Sequence, residues 1–131
     1  MAALDTNIVV RLIVGDEHRQ AGAVEKLVAS EPCTVALSVL MECEWVLRAA
    51  YGLDAALIAE SIRGLLTLDN IDPLDAALTQ QVLQGYEAGL DFADALHAEQ
   101  RREGESFATF DRQFVKRAPK ACGHAMKLVK T

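Results

Sequence analysis

The chain has 131 residues, of which 51% are hydrophobic and 24% charged, a balance that suits one folded domain and excludes a disordered or low-complexity segment. Its longest apolar stretch, Cys33 to Met41, is about half of what a membrane-spanning helix requires, and Asp5 and Arg11 interrupt any leader-like opening. A single domain over residues 1–131, cytoplasmic and with no membrane partner, is therefore expected.

The formal net charge of −6 conceals an asymmetry. Residues 1–100 hold 5 Lys/Arg against 16 Asp/Glu, whereas residues 101–131 hold 8 against 3. A basic end on an acidic chain is a cue for nucleic-acid contact, and equally for docking an acidic partner. Cys33, Cys43 and Cys122 are odd in number and lack metal-type spacing; Cys122-Gly123-His124 is a Cys-x-His fragment without further partners in the sequence. Cys33 and Cys43 lie in apolar runs, where a reduced thiol serves as a small hydrophobe.

In chain order, Ala2-Ala3-Leu4 is a short apolar strand candidate that stops at Asp5-Thr6-Asn7, residues that favour helix starts. A helix is predicted over 8–14 with Gly15 as its stop, and a second over 17–30, closed by Glu31-Pro32. Cys33 to Leu37 reads as a strand, after which Ser38 caps a helix over 39–51. Another helix spans 54–66, Ile71 centres a short strand, and Asp72-Pro73 starts a helix that runs towards Gly85 or Gly89. Asp91 opens a helix lasting to about Glu103, Ser106 to Phe110 alternates as a strand, Asp111 begins a short helix, and Lys127 to Val129 adds a last strand. Strands alternating with helices imply an α/β fold with a mainly parallel central sheet.

In such sheets ligands bind beyond the carboxyl ends of the strands. Asp5 and Asp111 each follow a predicted strand, while Asp91 and Asp94 lie in the first turn of a helix. Each also has a plainer role as a helix cap or as an acid near a positive helix end. By the helical step, Glu42 and Glu44 border the apolar face of Val39, Leu40, Cys43, Val46, Leu47 and Ala50 from opposite sides, and periodicity does not choose between them. Several carboxylates at one end of a sheet repel unless a cation neutralises them, and hard oxygen donors favour Mg²⁺ or Mn²⁺. No HExxH, CxxC or Gly-rich phosphate loop offers a different chemistry.

Leu4 to Asn7, Ser38 to Leu47, Asp91 to His97 and Ala108 to Asp111 are four segments that together resemble the PIN-domain nucleases. Leu4-Asp5-Thr6-Asn7 is similar to their opening motif, and Ser38 to Leu47 to the second, with Glu42 at its acidic position. Asp91-Phe92-Ala93-Asp94-Ala95-Leu96-His97 resembles the third, with Asp94 as the acid, and Ala108-Thr109-Phe110-Asp111 the fourth. Their order and the chain length resemble the VapC-type toxins of toxin–antitoxin pairs. The resemblance implies an α/β/α sandwich and an Mg²⁺- or Mn²⁺-dependent endoribonuclease. It implies Asp5, Glu42 and Asp94 as metal ligands, and Asp111 completing the acidic site through a metal-bound water. Asn7 and Thr109 would orient waters or carboxylates, with Asp91 as a cap or auxiliary acid. A homodimer and a cognate antitoxin are also implied, with operator DNA reached only through the antitoxin.

For the RNA substrate, phosphates would meet the basic end, with Arg101, Arg102, Arg112, Lys116 and Arg117 as candidates. His97 is assigned to surface or packing, and His18 and His124 join no constellation. Trp45 and Tyr51 are assigned to core or dimer packing in preference to base stacking. The alternatives are a PIN nuclease of RNA processing without a toxin role, a catalytically silent RNA- or protein-binding module, and a phosphoacceptor signalling module. The last wants paired acids after the first strand, where Asp5 stands alone before Thr6 and Asn7.

Overall fold

The computed structural model describes residues 1–121 and 125–131; the Cys122-Gly123-His124 fragment lies outside the described residues. The described chain divides into two compact units, Met1–Ala76 and Ala77–Thr131. Each holds parallel strands followed by helices, the mixed α/β organisation expected from the sequence. No described helix is long and apolar enough to cross a membrane.

In the first unit, β1 (Ala2–Ala3), β2 (Cys33–Val35) and β3 (Ile71–Pro73) form a three-stranded sheet in that order, parallel throughout. Cys33 lies opposite both Ala2 and Ile71, so the register sets buried Cys33, Val35 and Ile71 into the core. The connections are helical: α1 (Thr6–Val14) and α2 (His18–Ser30) join β1 to β2, and α3 (Leu37–Ala49) and α4 (Ala55–Leu65) join β2 to β3. Val9 and Val10 of α1, Leu40, Cys43 and Leu47 of α3, and Ile58 and Ile62 of α4 fill the interior. Their three- and four-residue spacing is the apolar stripe that holds a helix against its neighbours. Gly15 ends α1 in the left-handed conformation, φ 67°, with its N–H on the Arg11 carbonyl at 2.9 Å. Arg11 then bonds Asp16 (3.2 Å), Gln20 (2.8 Å) and the Tyr51 hydroxyl (3.3 Å), which itself donates to Asp16 (2.8 Å). Tyr51 thus serves as a polar tie, and Trp45 is 58% exposed, so neither is core.

Two expected helix starts differ. Leu37 is buried and drawn into α3, so the helix begins before Ser38; Ala36 holds the cap position without a side-chain bond. Pro73 ends β3 instead of starting a helix, and α5 (Ala76–Glu87) begins three residues later. Among the described residues β3 is an edge strand, where a missing N–H costs no ladder bond; Leu74 N–H supplies the next bond to the Val35 carbonyl at 2.9 Å.

In the second unit, α5 is followed by α6 (Phe92–Glu99), β4 (Phe107–Thr109), α7 (Arg112–Ala121) and β5 (Met126–Leu128). β4 and β5 pair in parallel, Thr109 opposite Leu128. Phe92 meets Tyr86 edge-on at 5.4 Å between ring centroids, and Phe107 meets Phe114 at 5.7 Å. Gly89 reverses the chain after α5 at φ 112°, and Leu90 N–H returns to the Gly85 carbonyl at 3.0 Å. α6 ends four residues short of Glu103, because Arg102 and Glu105 close a turn on each other: Arg102 N–H donates to Glu105 Oε1 at 2.7 Å, and Glu105 N–H to the Arg102 carbonyl at 3.1 Å.

Candidate functional site

Each unit presents carboxylates at or beside the carboxyl ends of its strands. In the first unit, the chain leaves β1 through buried Leu4 and turns at exposed Asp5 into α1. Asp5 Oδ1 accepts from Thr6 N–H at 2.8 Å, which fixes the carboxylate at the helix entrance. Asn7, one residue further, lines a cavity of ≈ 230 Å³ between α1 and α2 with Ile8, Arg11, Gln20, Ala23 and Val24. α3 brings in Glu42, which is exposed, and Glu44, which is buried.

Burial and pairing distinguish the two flanks that periodicity leaves open. Glu44 is held by Arg48 one turn on, Oε2 to Nε at 2.9 Å, an ion pair within the unit. Glu42 and Asp5 share a different neighbour, the buried thiol of Cys43. Burial first, then the negative charges of Glu42 and Asp5, push that thiol up to about 12. It stays protonated and donates to the Thr6 carbonyl at 3.7 Å, tying α3 to the first turn of α1. Cys33 and Cys43 are both buried free thiols, as their apolar settings imply.

In the second unit, Asp91 caps α6, its Oδ2 accepting from Asp94 N–H at 3.1 Å. Asp94 stands in the first turn of α6, and Asp111 follows β4. Asp111 N–H donates to Thr109 Oγ1 at 3.0 Å, while Asp111 Oδ1 accepts from Phe114 N–H at 3.0 Å. Thr109 therefore orients the backbone that carries Asp111, and Asp111 opens α7. These acids feel one another: partial burial, then the charges of Asp91 and Asp111, raise the Asp94 carboxyl above its ordinary value, with His97 opposing. His97, exposed and three residues on along α6, is a charge neighbour of Asp94.

None of Asp5, Glu42, Asp94 and Asp111 forms a salt bridge with a described residue, in contrast to Glu44 and Asp16. Among the described residues no three His, Cys, Asp or Glu side chains gather as a ready-made metal cluster. Hard carboxylate oxygens are the donors that a divalent cation takes, and in the second unit partial burial, then the charges of Asp91 and Asp111, raise the Asp94 carboxyl.

The basic residues divide between two elements. Arg101 is half-buried after α6, its Nη1 on the Arg102 carbonyl at 3.2 Å, and Arg102 sits in the turn closed by Glu105. On α7, Phe114 and Ala118 are buried, while Arg112, Lys116 and Lys120 on the opposite arc and Arg117 beside the buried face are all exposed. Lys120, not among the five sequence-derived candidates, lies on the same helix, and its four-residue step from Lys116 was the available signal.

A family model described as PIN domain matches residues 2–120. Comparison with curated proteins and with solved structures gives no match. Nucleases of this fold generally use divalent metal ions, in keeping with the unpaired carboxylates. With acids at the ends of its parallel strands and a match running through both units, the chain belongs to the PIN-domain family, a nuclease fold.

Proposed function

We propose that this protein is a divalent-metal-dependent endoribonuclease of the VapC toxin type, with Asp5, Glu42, Asp94 and Asp111 as its acidic site. The observation that carries the reading is that these four acids have no cationic partner among the described residues, although a neighbouring glutamate on α3 does. Partial burial, then the charges of Asp91 and Asp111, already oppose ionisation of Asp94, a cost that a bound cation would offset.

Mg²⁺ or Mn²⁺, when bound, supplies Lewis acidity and lowers the pKa of a water. Asp5, Glu42 and Asp94 would hold the ion, and Asp111 would orient a water ligand. Asn7 and Thr109 steady this arrangement, Thr109 through its bond to Asp111 N–H. Water adds to the phosphorus and the bond to the 3′ oxygen breaks, leaving a 5′-phosphate and a 3′-hydroxyl. The cationic face of α7 grips adjoining phosphates of the RNA. A cognate antitoxin covering the site, and assembly as a cytoplasmic homodimer, belong to the same reading.

Purified protein is expected to cut RNA with Mg²⁺ and to stop in EDTA, and Asp5→Asn should lower the rate by at least about a hundredfold. Undiminished cleavage in EDTA or by Asp5→Asn overturns the metal-site assignment. Growth arrest on expression of the wild type alone tests the toxin role separately; a nuclease that leaves growth unaltered removes the toxin role and keeps the enzyme.

A further inference from the structure

Beside Asp111 lies a cavity of ≈ 460 Å³, lined by Phe110, Arg112, Leu128, Val129, Lys130 and Thr131. Its size falls in the range of about 300–1,000 Å³ typical of small-ligand pockets. The Phe110 side chain is 67% exposed, and Arg112 and Lys130 are exposed cations at the same opening. A single exposed aromatic residue is ordinary by itself. This one stands on a backbone held from both sides. On one side, the Thr109 carbonyl accepts from Val129 N–H at 2.8 Å within the β4–β5 ladder, and Thr109 Oγ1 accepts from Asp111 N–H. On the other side, Asp111 is pinned by Phe114 N–H. An aromatic side chain on a fixed turn needs little ordering to receive a flat partner.

An exposed aromatic ring in one cavity lining with two cations matches a nucleobase and its adjoining phosphates, and matches an acidic or purely apolar peptide less well. We propose that this cavity is a nucleotide subsite, in which Phe110 stacks a base next to the cleaved phosphate while Arg112 and Lys130 hold the adjoining phosphates. The proposal rests on the nuclease reading above and adds to it the residues that receive a base and its adjoining phosphates. A base must be unstacked to reach Phe110, so the subsite favours single-stranded RNA over duplex, whose bases are stacked inside.

The test uses the full chain carrying Asp94→Asn, which binds without cutting, and single-stranded RNA with 2-aminopurine at successive positions. One position is expected to lose fluorescence on binding. Phe110→Ala in the same background should restore that fluorescence and weaken binding about tenfold or more, and Phe110→Trp should keep both. Arg112→Ala and Lys130→Ala should each flatten the salt dependence of log K by about 0.7. Unaltered melting of Phe110→Ala, expected for so exposed a side chain, separates lost stacking from lost folding. Unchanged affinity and unchanged quenching in Phe110→Ala overturn the subsite. So does unchanged RNA binding accompanied by a fall from dimer to monomer, which would assign Phe110 to contact with a second copy. If the parent protein cuts RNA while Phe110→Ala behaves as its parent, only the subsite falls. If the parent neither cuts nor binds RNA, the nuclease reading falls as well.

Discussion

Glu42 and Glu44 sit two residues apart on α3 and have opposite fates. Glu44 is 4% exposed and paired with Arg48, whereas Glu42 faces solvent and reaches the Cys43 thiol electrostatically. Removing Arg48 leaves a buried carboxylate short of hydrogen bonds, so Arg48→Ala should cost about 1–2 kcal/mol in urea denaturation. Glu42→Gln should leave the urea midpoint in place while cleavage falls at least about a hundredfold. A variant pair with these effects interchanged would reverse the assignment. Asp94 makes a pH-dependent case. Its carboxyl value is raised in the folded chain by burial and by Asp91 and Asp111, with His97 acting against them, so folding favours its protonated form. The cost of ionisation builds as pH climbs from the ordinary carboxylate value through the raised one, and is complete at neutral pH. Asp94→Asn removes that cost. In EDTA the variant should melt above wild type at pH 7, and the two midpoints should converge in acid below the ordinary value. Added Mg²⁺ should raise the wild-type midpoint and leave that of Asp94→Asn nearly unmoved.

Among the elements, α7 separates packing from binding most cleanly. Phe114 and Ala118 hold the helix to its unit, and Arg112, Lys116, Arg117 and Lys120 are left to solvent. Lys116→Ala with Lys120→Ala should weaken RNA binding and flatten the log K against log salt slope by about 1.4, at about 0.7 per phosphate contact released. The melting temperature should stay the same, since neither side chain is buried. The approach of α5 to α6 has the opposite character. A Cβ at Gly85 would meet the Ala95 Cβ at 3.3 Å and a Leu90 methyl at 3.4 Å. Gly85→Leu should therefore cost about 1–3 kcal/mol through overpacking, read from thermal or urea unfolding. Unaltered stability in Gly85→Leu would mean that these helices have room that the close contacts deny.

At the scale of the whole molecule, the sequence by itself determined the alternation of helix and strand, the parallel pairing, and the acids that turn the chain out of β1 and β4. These are local matters: apolar periodicity, Gly15 at a positive φ, and Asp5, Asp91 and Asp111 bonding backbone N–H groups within three residues. The charge asymmetry was legible too, and α7 carries four of the eight basic residues of the C-terminal segment, all exposed. The tertiary structure decided whatever depended on residues distant in the chain. Pro73 reads locally as a helix start, yet pairing with β2 makes it the end of an edge strand. Ser38 reads as a cap, yet burial of Leu37 starts the helix before it. The choice between Glu42 and Glu44 was closed to periodicity, because a helical step gives the angle of a side chain and not the depth of the surface it meets. Phe110 was an unremarkable strand residue until the β4–β5 register set it beside Val129, Arg112 and Lys130 at the mouth of a cavity. Local sequence fixes dihedral angles and caps; burial, pairing and shape arise only when separate segments meet.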